Sequence, residues 1–90
     1  MYSAILVEDE PSILRGMETL LQWEDYGIEV VALAEDGLAA WDIIQRQPVD
    51  LLVTDIKMPR MDGLELIARV RQADLSTKVI ITSGFDDFAL

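Results

Sequence analysis

The sequence contains no cysteine and no histidine. Without cysteine there is no disulfide scaffold, no thiolate zinc site and no cysteine nucleophile. Without histidine there is no imidazole to act as a base or to bind a metal. Basic residues are few: 7 Lys and Arg stand against 17 Asp and Glu, a formal net charge of -10. Nucleic acid binding depends on neutralising phosphates with cationic side chains, so no direct nucleic acid binding by this chain is expected. No apolar run approaches the ~18 residues of a membrane span, so no membrane partner is expected. The first residues, MYSAILVEDE, lack a basic region and turn acidic after a short apolar run. They read as a first strand rather than a signal peptide, and the expected compartment is cytoplasmic.

What is present fits one small folded unit. The chain has 90 residues, enough for one domain, and 51% of them are hydrophobic. A domain this short buries a modest fraction of its surface, so its stability margin is thin. The apolar run Ala4 to Val7 reads as a buried parallel strand that ends in Glu8, Asp9 and Glu10. Pro11 suits the first turn of a helix, and Ile13, Leu14, Met17, Leu20 and Leu21 follow at helical spacing up to Gly27. Val30 to Ala34 reads as a second strand, and Asp36 can cap the helix that carries Leu38, Trp41 and Ile44. Leu51 to Thr54 is a third strand, Asp62 to about Ala73 a third helix, and Lys78 to Thr82 a fourth strand. Near-continuous apolar strands alternating with amphipathic helices predict an α/β domain, with a parallel sheet covered on both faces.

In open parallel sheets, ligands bind at the carboxyl ends of the strands. Strand one ends in the acidic triplet and strand three in Asp55. If these strands are neighbours, their carboxylates converge. Like charges held close repel unless a cation joins them. Mg²⁺ suits such a place, being held by one or two carboxylates, water and phosphate oxygens. A carboxylate beside it can act as a nucleophile and become an aspartyl-phosphate. Asp55, alone at its strand end, is the better nucleophile candidate, and Asp9 the better metal candidate. Strand four ends in Thr82, Ser83 and Gly84, where a hydroxyl could donate to a phosphate on Asp55. Each feature alone has an ordinary reading. An acidic triplet favours a helix N-terminus, a lone strand-end Asp is often a turn residue, and Asp62 with Glu65 resembles a capping box. Their conjunction at one sheet edge favours a reaction centre.

The strings LVEDEP, LLVTDIKMPRMDGLEL and KVIITSGFDD resemble the receiver domain of bacterial two-component response regulators. The phrases WEDYGIEVV and SGFDDF are similar to the subgroup whose receivers precede an arabinose-regulator type helix-turn-helix output domain. The resemblance implies a flavodoxin-like receiver fold with sheet order 2-1-3-4-5, here 2-1-3-4 with the fifth strand missing. It implies that Asp55 is the phosphoacceptor, Asp9 the direct Mg²⁺ ligand, and Glu8 its companion acting through water. Lys57 would lend its backbone carbonyl to the metal. Ser83 would be the switch hydroxyl, with Thr82 as the alternative. Met58, Pro59, Gly63 and Gly84 fall on the family's loop positions. A sensor histidine kinase would be the phosphoryl donor, and the output transcriptional control.

The family pattern continues with a fourth helix, a fifth strand ending in Lys-Pro, and a fifth helix, whereas this sequence stops at Leu90. Residues 1–90 are therefore read as a single, C-terminally truncated receiver. Two expectations follow. Strand four becomes a sheet edge, and an apolar edge over residues 79–82 invites self-association. Without the phosphate-binding lysine, phosphorylation is slowed and any self-dephosphorylation impaired. The chain is read as a signalling module rather than an enzyme. A Mg²⁺-dependent aspartyl-phosphate phosphohydrolase is the enzymatic alternative, but such enzymes place a second acid where Lys57 stands. A flavin- or nucleotide-binding flavodoxin type needs a Gly-, Ser- or Thr-rich loop where Glu8-Asp9-Glu10-Pro11 stands. The remaining alternative is an inactive folding fragment that self-associates.

Overall fold

The computed structural model describes residues 1–73 and 76–82. The elements run β1 (Tyr2–Val7), α1 (Pro11–Leu20), a 3₁₀ turn (Trp23–Tyr26), β2 (Ile28–Ala34), α2 (Gly37–Arg46), β3 (Leu51–Asp55), α3 (Gly63–Gln72) and β4 (Lys78–Thr82). The strands form one parallel sheet in the order β2-β1-β3-β4. This is the expected flavodoxin-like arrangement, and the expected neighbouring of the first and third strands holds.

Strand alternation sorts the core into two layers. Along β1, Ile5 and Val7 point to one face and Leu6 to the other, as a period of two requires. Ile5 and Val7 pack with Leu52, with Ala40 and Ile44 of α2, and with Leu66 and Val70 of α3. Leu6 packs with Val53 and with Leu14 of α1. Ala4, Ile5, Leu6 and Val7 are all 0% exposed, which explains why β1 reads as an unbroken apolar run. A register shift between Ala4 and Ile5 gives β2 one extra residue. That shift lets Val30 join the Leu6 layer while Ala32 joins the Ile5 layer, although two residues normally return a strand to the same face.

Several boundaries differ from the sequence expectation. The first helix ends at Leu20, and the chain then makes a separate 3₁₀ turn that Gly27 closes in the left-handed region at φ 72°. Leu20 and Leu21 are consequently not part of the helix's packed face. They are 83% and 52% exposed, and Ile13 is 50% exposed, because α1 contacts the sheet chiefly through Leu14, with Met17 partly buried. Trp23, on the 3₁₀ turn, packs against the Leu6 layer and donates its indole N–H to the Met17 carbonyl at 2.9 Å. Asp36 caps α2 and Asp62 caps α3, each accepting a backbone N–H at 2.8 Å. The box at α3 is one-sided. Glu65 turns its carboxylate to Arg69, 3.1 Å away, the next turn offering a cation on the same face.

Candidate functional site: an acidic pocket at the sheet edge

Glu8 and Asp9 follow β1 directly, and Asp55 ends the adjacent β3. The Glu8 amide extends the β1–β2 ladder by donating to the Ala34 carbonyl at 3.0 Å. This fixes the backbone from which the acidic side chains project. One carboxylate oxygen from each of Glu8, Asp9 and Asp55 lies within 4.8 Å of the others. Glu8 is 6% exposed, Asp55 half-buried and Asp9 exposed, so the cluster grades from the interior to solvent.

The Glu8 carboxylate accepts the Glu10 amide at 3.0 Å. Its pKa is nevertheless pushed above the usual carboxylate range. Burial is the main cause; the shared hydrogen bond with Asp9 and the charges of Asp55 and Asp9 add to it. The Asp55 side chain accepts its neighbour's amide, Ile56 N–H to Oδ1, at 2.7 Å. The three carboxylates border a cavity of about 350 Å³ that also exposes Ile13 and Met17 of α1 and Thr82 of β4. Thr82 sits directly across from Asp55 in the β3–β4 register.

The loop after Asp55, residues 56–62, is held at both ends. The Gly63 amide donates to the Ile56 carbonyl at 2.7 Å. A Cβ on Gly63 would lie 2.1 Å from the Asp55 carbonyl oxygen, so only glycine permits this closure. Met58 and Met61 are buried and plug the loop into the α2–α3 side of the core. Lys57 and Pro59 are exposed on it.

The structure thus gathers Glu8, Asp9, Asp55 and Thr82 in one pocket, and puts Lys57, Met58, Pro59 and Gly63 on the loop beside it. Ser83 and Gly84 lie outside the described residues. The donor set suits a hard divalent cation: three carboxylates, one of them raised in pKa by burial first and by its neighbours second, with no nitrogen or sulfur ligand.

Sequence reasoning missed a second feature of this loop. Arg60 adopts φ 67°, a left-handed conformation unusual for a side chain of its size. Its guanidinium pairs with the buried Asp36 carboxylate, Nε donating at 3.1 Å and a second nitrogen also in contact. The Asp36 carboxyl is held below the usual range by the Ala39 amide first and by Arg60 second. Asp36 is legible in the sequence as a cap, but no spacing rule links residue 36 to residue 60.

An α/β sheet with acidic groups at the carboxyl ends of two adjacent central strands defines a domain with an acidic pocket at its topological switch point. The chain belongs to the response regulator receiver domain family, whose profile matches residues 4–90. It is 42% identical over 89 residues to the uncharacterized transcriptional regulatory protein YesN of Bacillus subtilis, covering 98% of this chain and 24% of that protein. It is 36% identical over 88 residues to the transcriptional regulatory protein HptR of Staphylococcus aureus, covering 98% of this chain and 34% of that one. Among solved structures, the receiver domain of AraT, a response regulator from Geobacillus stearothermophilus, superposes with a TM-score of 0.89 at 36% identity. That match covers 98% of this chain and 68% of the other. A two-component transcriptional regulator AraC from Clostridium phytofermentans matches with a TM-score of 0.87 at 30% identity, covering 99% and 69%. The chain spans about a quarter to a third of the length of the curated relatives it matches.

Proposed function

We propose that the chain takes a phosphoryl group from a sensor histidine kinase onto Asp55 and relays this event to transcriptional control. The observation that carries the reading is the convergence of Glu8, Asp9 and Asp55 in one cavity at the carboxyl ends of β1 and β3. In the transfer, the phosphorus–nitrogen bond of the donor phosphohistidine breaks as an Asp55 carboxylate oxygen bonds to phosphorus. The bond's electron pair stays with the donor imidazole, which takes up a proton.

Asp9 and Asp55 would hold Mg²⁺ directly, with Glu8 acting through water and Lys57 through its backbone carbonyl. When bound, the cation supplies the positive charge that lets an anionic phosphoryl group approach three carboxylates. Glu8, buried and tied to the Glu10 amide, holds its carboxylate in place behind Asp9. Ser83 is the switch hydroxyl that hydrogen-bonds the phosphate, with Thr82 as the alternative. Phosphate on Asp55 is then a local charge event that biases a two-state element.

The reading places the protein in the cytoplasm as a regulator rather than an enzyme. Among the described residues no helix is long and apolar enough to cross a membrane. For residues 1–90 alone we propose self-association along β4. It is an edge of the described sheet, with Ile80 and Ile81 49% and 46% exposed. Sedimentation at increasing concentration tests this, and a monomer throughout contradicts it.

The kinase assignment is tested by mixing a phosphorylated histidine kinase domain with this protein and with its Asp55→Asn variant. Transfer to the parent alone supports it. Equal transfer to both, or to neither, contradicts it.

A further inference from the structure

The loop that follows Asp55 is fastened to α2 at two consecutive residues. Arg60 reaches the Asp36 carboxylate, and the Met61 carbonyl accepts the Gly37 amide at 3.0 Å. Neither contact is explained by the capping of α2, which uses the other oxygen of Asp36 to accept the Ala39 amide. Asp36 is 4% exposed, whereas the Arg60 side chain that meets it is 67% exposed, so the carboxylate is covered and the guanidinium reaches it from the solvent side. A Cβ on Gly37 would come 2.2 Å from the Met61 carbonyl oxygen, so the two segments touch backbone to backbone. At its other end the loop closes on β3 through Ile56 and Gly63. Arg60 holds its left-handed backbone at the point where the guanidinium meets Asp36.

We propose that the Asp36–Arg60 pair is a positioning clamp: it holds loop 56–62 in the shape that presents Asp55 and the Lys57 carbonyl to the metal, and thereby sets Mg²⁺ affinity. The inference rests on the reading of Glu8, Asp9 and Asp55 as a Mg²⁺ site. The pair itself touches none of these carboxylates. Its effect passes along the four residues between Asp55 and Arg60, with the loop's far side fixed by Gly63.

Calorimetric titration with Mg²⁺ tests the clamp in the intact protein and in Arg60→Gly, Asp36→Asn, Arg60→Lys and the Asp36→Asn, Arg60→Gly double variant. Glycine accepts φ 67° without strain, so Arg60→Gly removes the guanidinium and keeps the backbone conformation accessible. Asparagine keeps an acceptor for the Ala39 amide. Outer-shell partners of metal sites typically influence affinity by 10- to 100-fold, and at this greater remove each single variant is expected to weaken Mg²⁺ binding about tenfold. The double variant is expected to be no weaker than either single one, and Arg60→Lys to bind within about threefold of the parent. Melting without Mg²⁺ is followed in parallel.

Lowered melting with unchanged Mg²⁺ affinity would make the pair purely structural and overturn the clamp. So would losses that add in the double variant, because the two residues would then act separately. A parent that binds no Mg²⁺ overturns the metal site itself, and differs visibly from a parent that binds while its variants bind equally well.

Discussion

Gly63 presses its backbone against the carbonyl oxygen of Asp55, at a separation where any Cβ would stand 2.1 Å from that oxygen. The residue that starts α3 therefore also fixes the end of β3. Gly63→Ala forces either the helix or the strand end to shift. Overpacking of this kind costs about 1–3 kcal/mol, and here the obstacle is backbone rather than a flexible side chain. Urea unfolding is expected to show a loss of about 2 kcal/mol, with phosphoryl uptake at Asp55 reduced as well.

Asp55→Asn removes one charge from the acidic cluster. The Asp55 charge contributes to the raised pKa of Glu8, so without Mg²⁺ the substitution relieves repulsion. The variant is expected to be more stable than the parent in metal-free buffer, by up to about 1 kcal/mol. Thermal melting in the presence of a chelator measures this. A less stable variant would contradict it.

Mg²⁺ is expected to raise the melting temperature of the parent, because a ligand that binds only the folded state adds RT ln(1 + [L]/Kd), about 2.7 kcal/mol at a hundredfold excess over Kd. Asp9→Asn removes the most exposed of the three carboxylates and is expected to abolish most of that shift. Calorimetry with and without the ion checks both statements.

The pH dependence carries a defined sign. Glu8 has a folded pKa above its ordinary 4.5, so the folded state holds its proton more tightly than the unfolded chain. The stability this supplies is fully present below 4.5 and is lost as pH rises through the raised value. Asp36 runs the other way. Its folded pKa is below the ordinary 3.8, so its contribution is present above 3.8 and is lost as pH falls through the lowered value. Metal-free unfolding curves are expected to show the decline above pH 4.5 in the parent and not in Glu8→Gln.

Two hydroxyls compete for the role of switch. Thr82 borders the cavity and pairs in register with Asp55, while Ser83 lies outside the described residues. The account assigns the role to Ser83. Ser83→Ala is expected to remove the conformational change that follows phosphorylation, read by tryptophan fluorescence or amide exchange, and Thr82→Ala to preserve it. The reverse pattern would transfer the assignment to Thr82.

Much of the fold was legible because β1 and β3 are buried on both faces over Ala4–Val7 and Leu52–Thr54, so their sequences are near-continuous apolar runs, broken in β3 only by Thr54, up to the acids that follow. The same termination located Glu8, Asp9 and Asp55. The caps at Asp36 and Asp62 were legible because capping is a local rule. The break after Leu20 was not, since Leu20 and Leu21 continue the apolar spacing although their surroundings in the fold leave them exposed. The β2 register shift was invisible for a similar reason: it is decided by which layer Val30 and Ala32 join. The Asp36–Arg60 pair spans 24 residues of sequence and depends on a left-handed backbone at an arginine, which no propensity predicts.

The most direct test of the account is the intact mass of the protein after incubation with a small phosphodonor, with Mg²⁺ or with chelator, beside Asp55→Asn. The account predicts one added phosphoryl group on the parent with Mg²⁺, far less with chelator, and none on the variant. Equal uptake by parent and variant, or uptake indifferent to Mg²⁺, would contradict Asp55 as the acceptor in a metal-dependent acidic site.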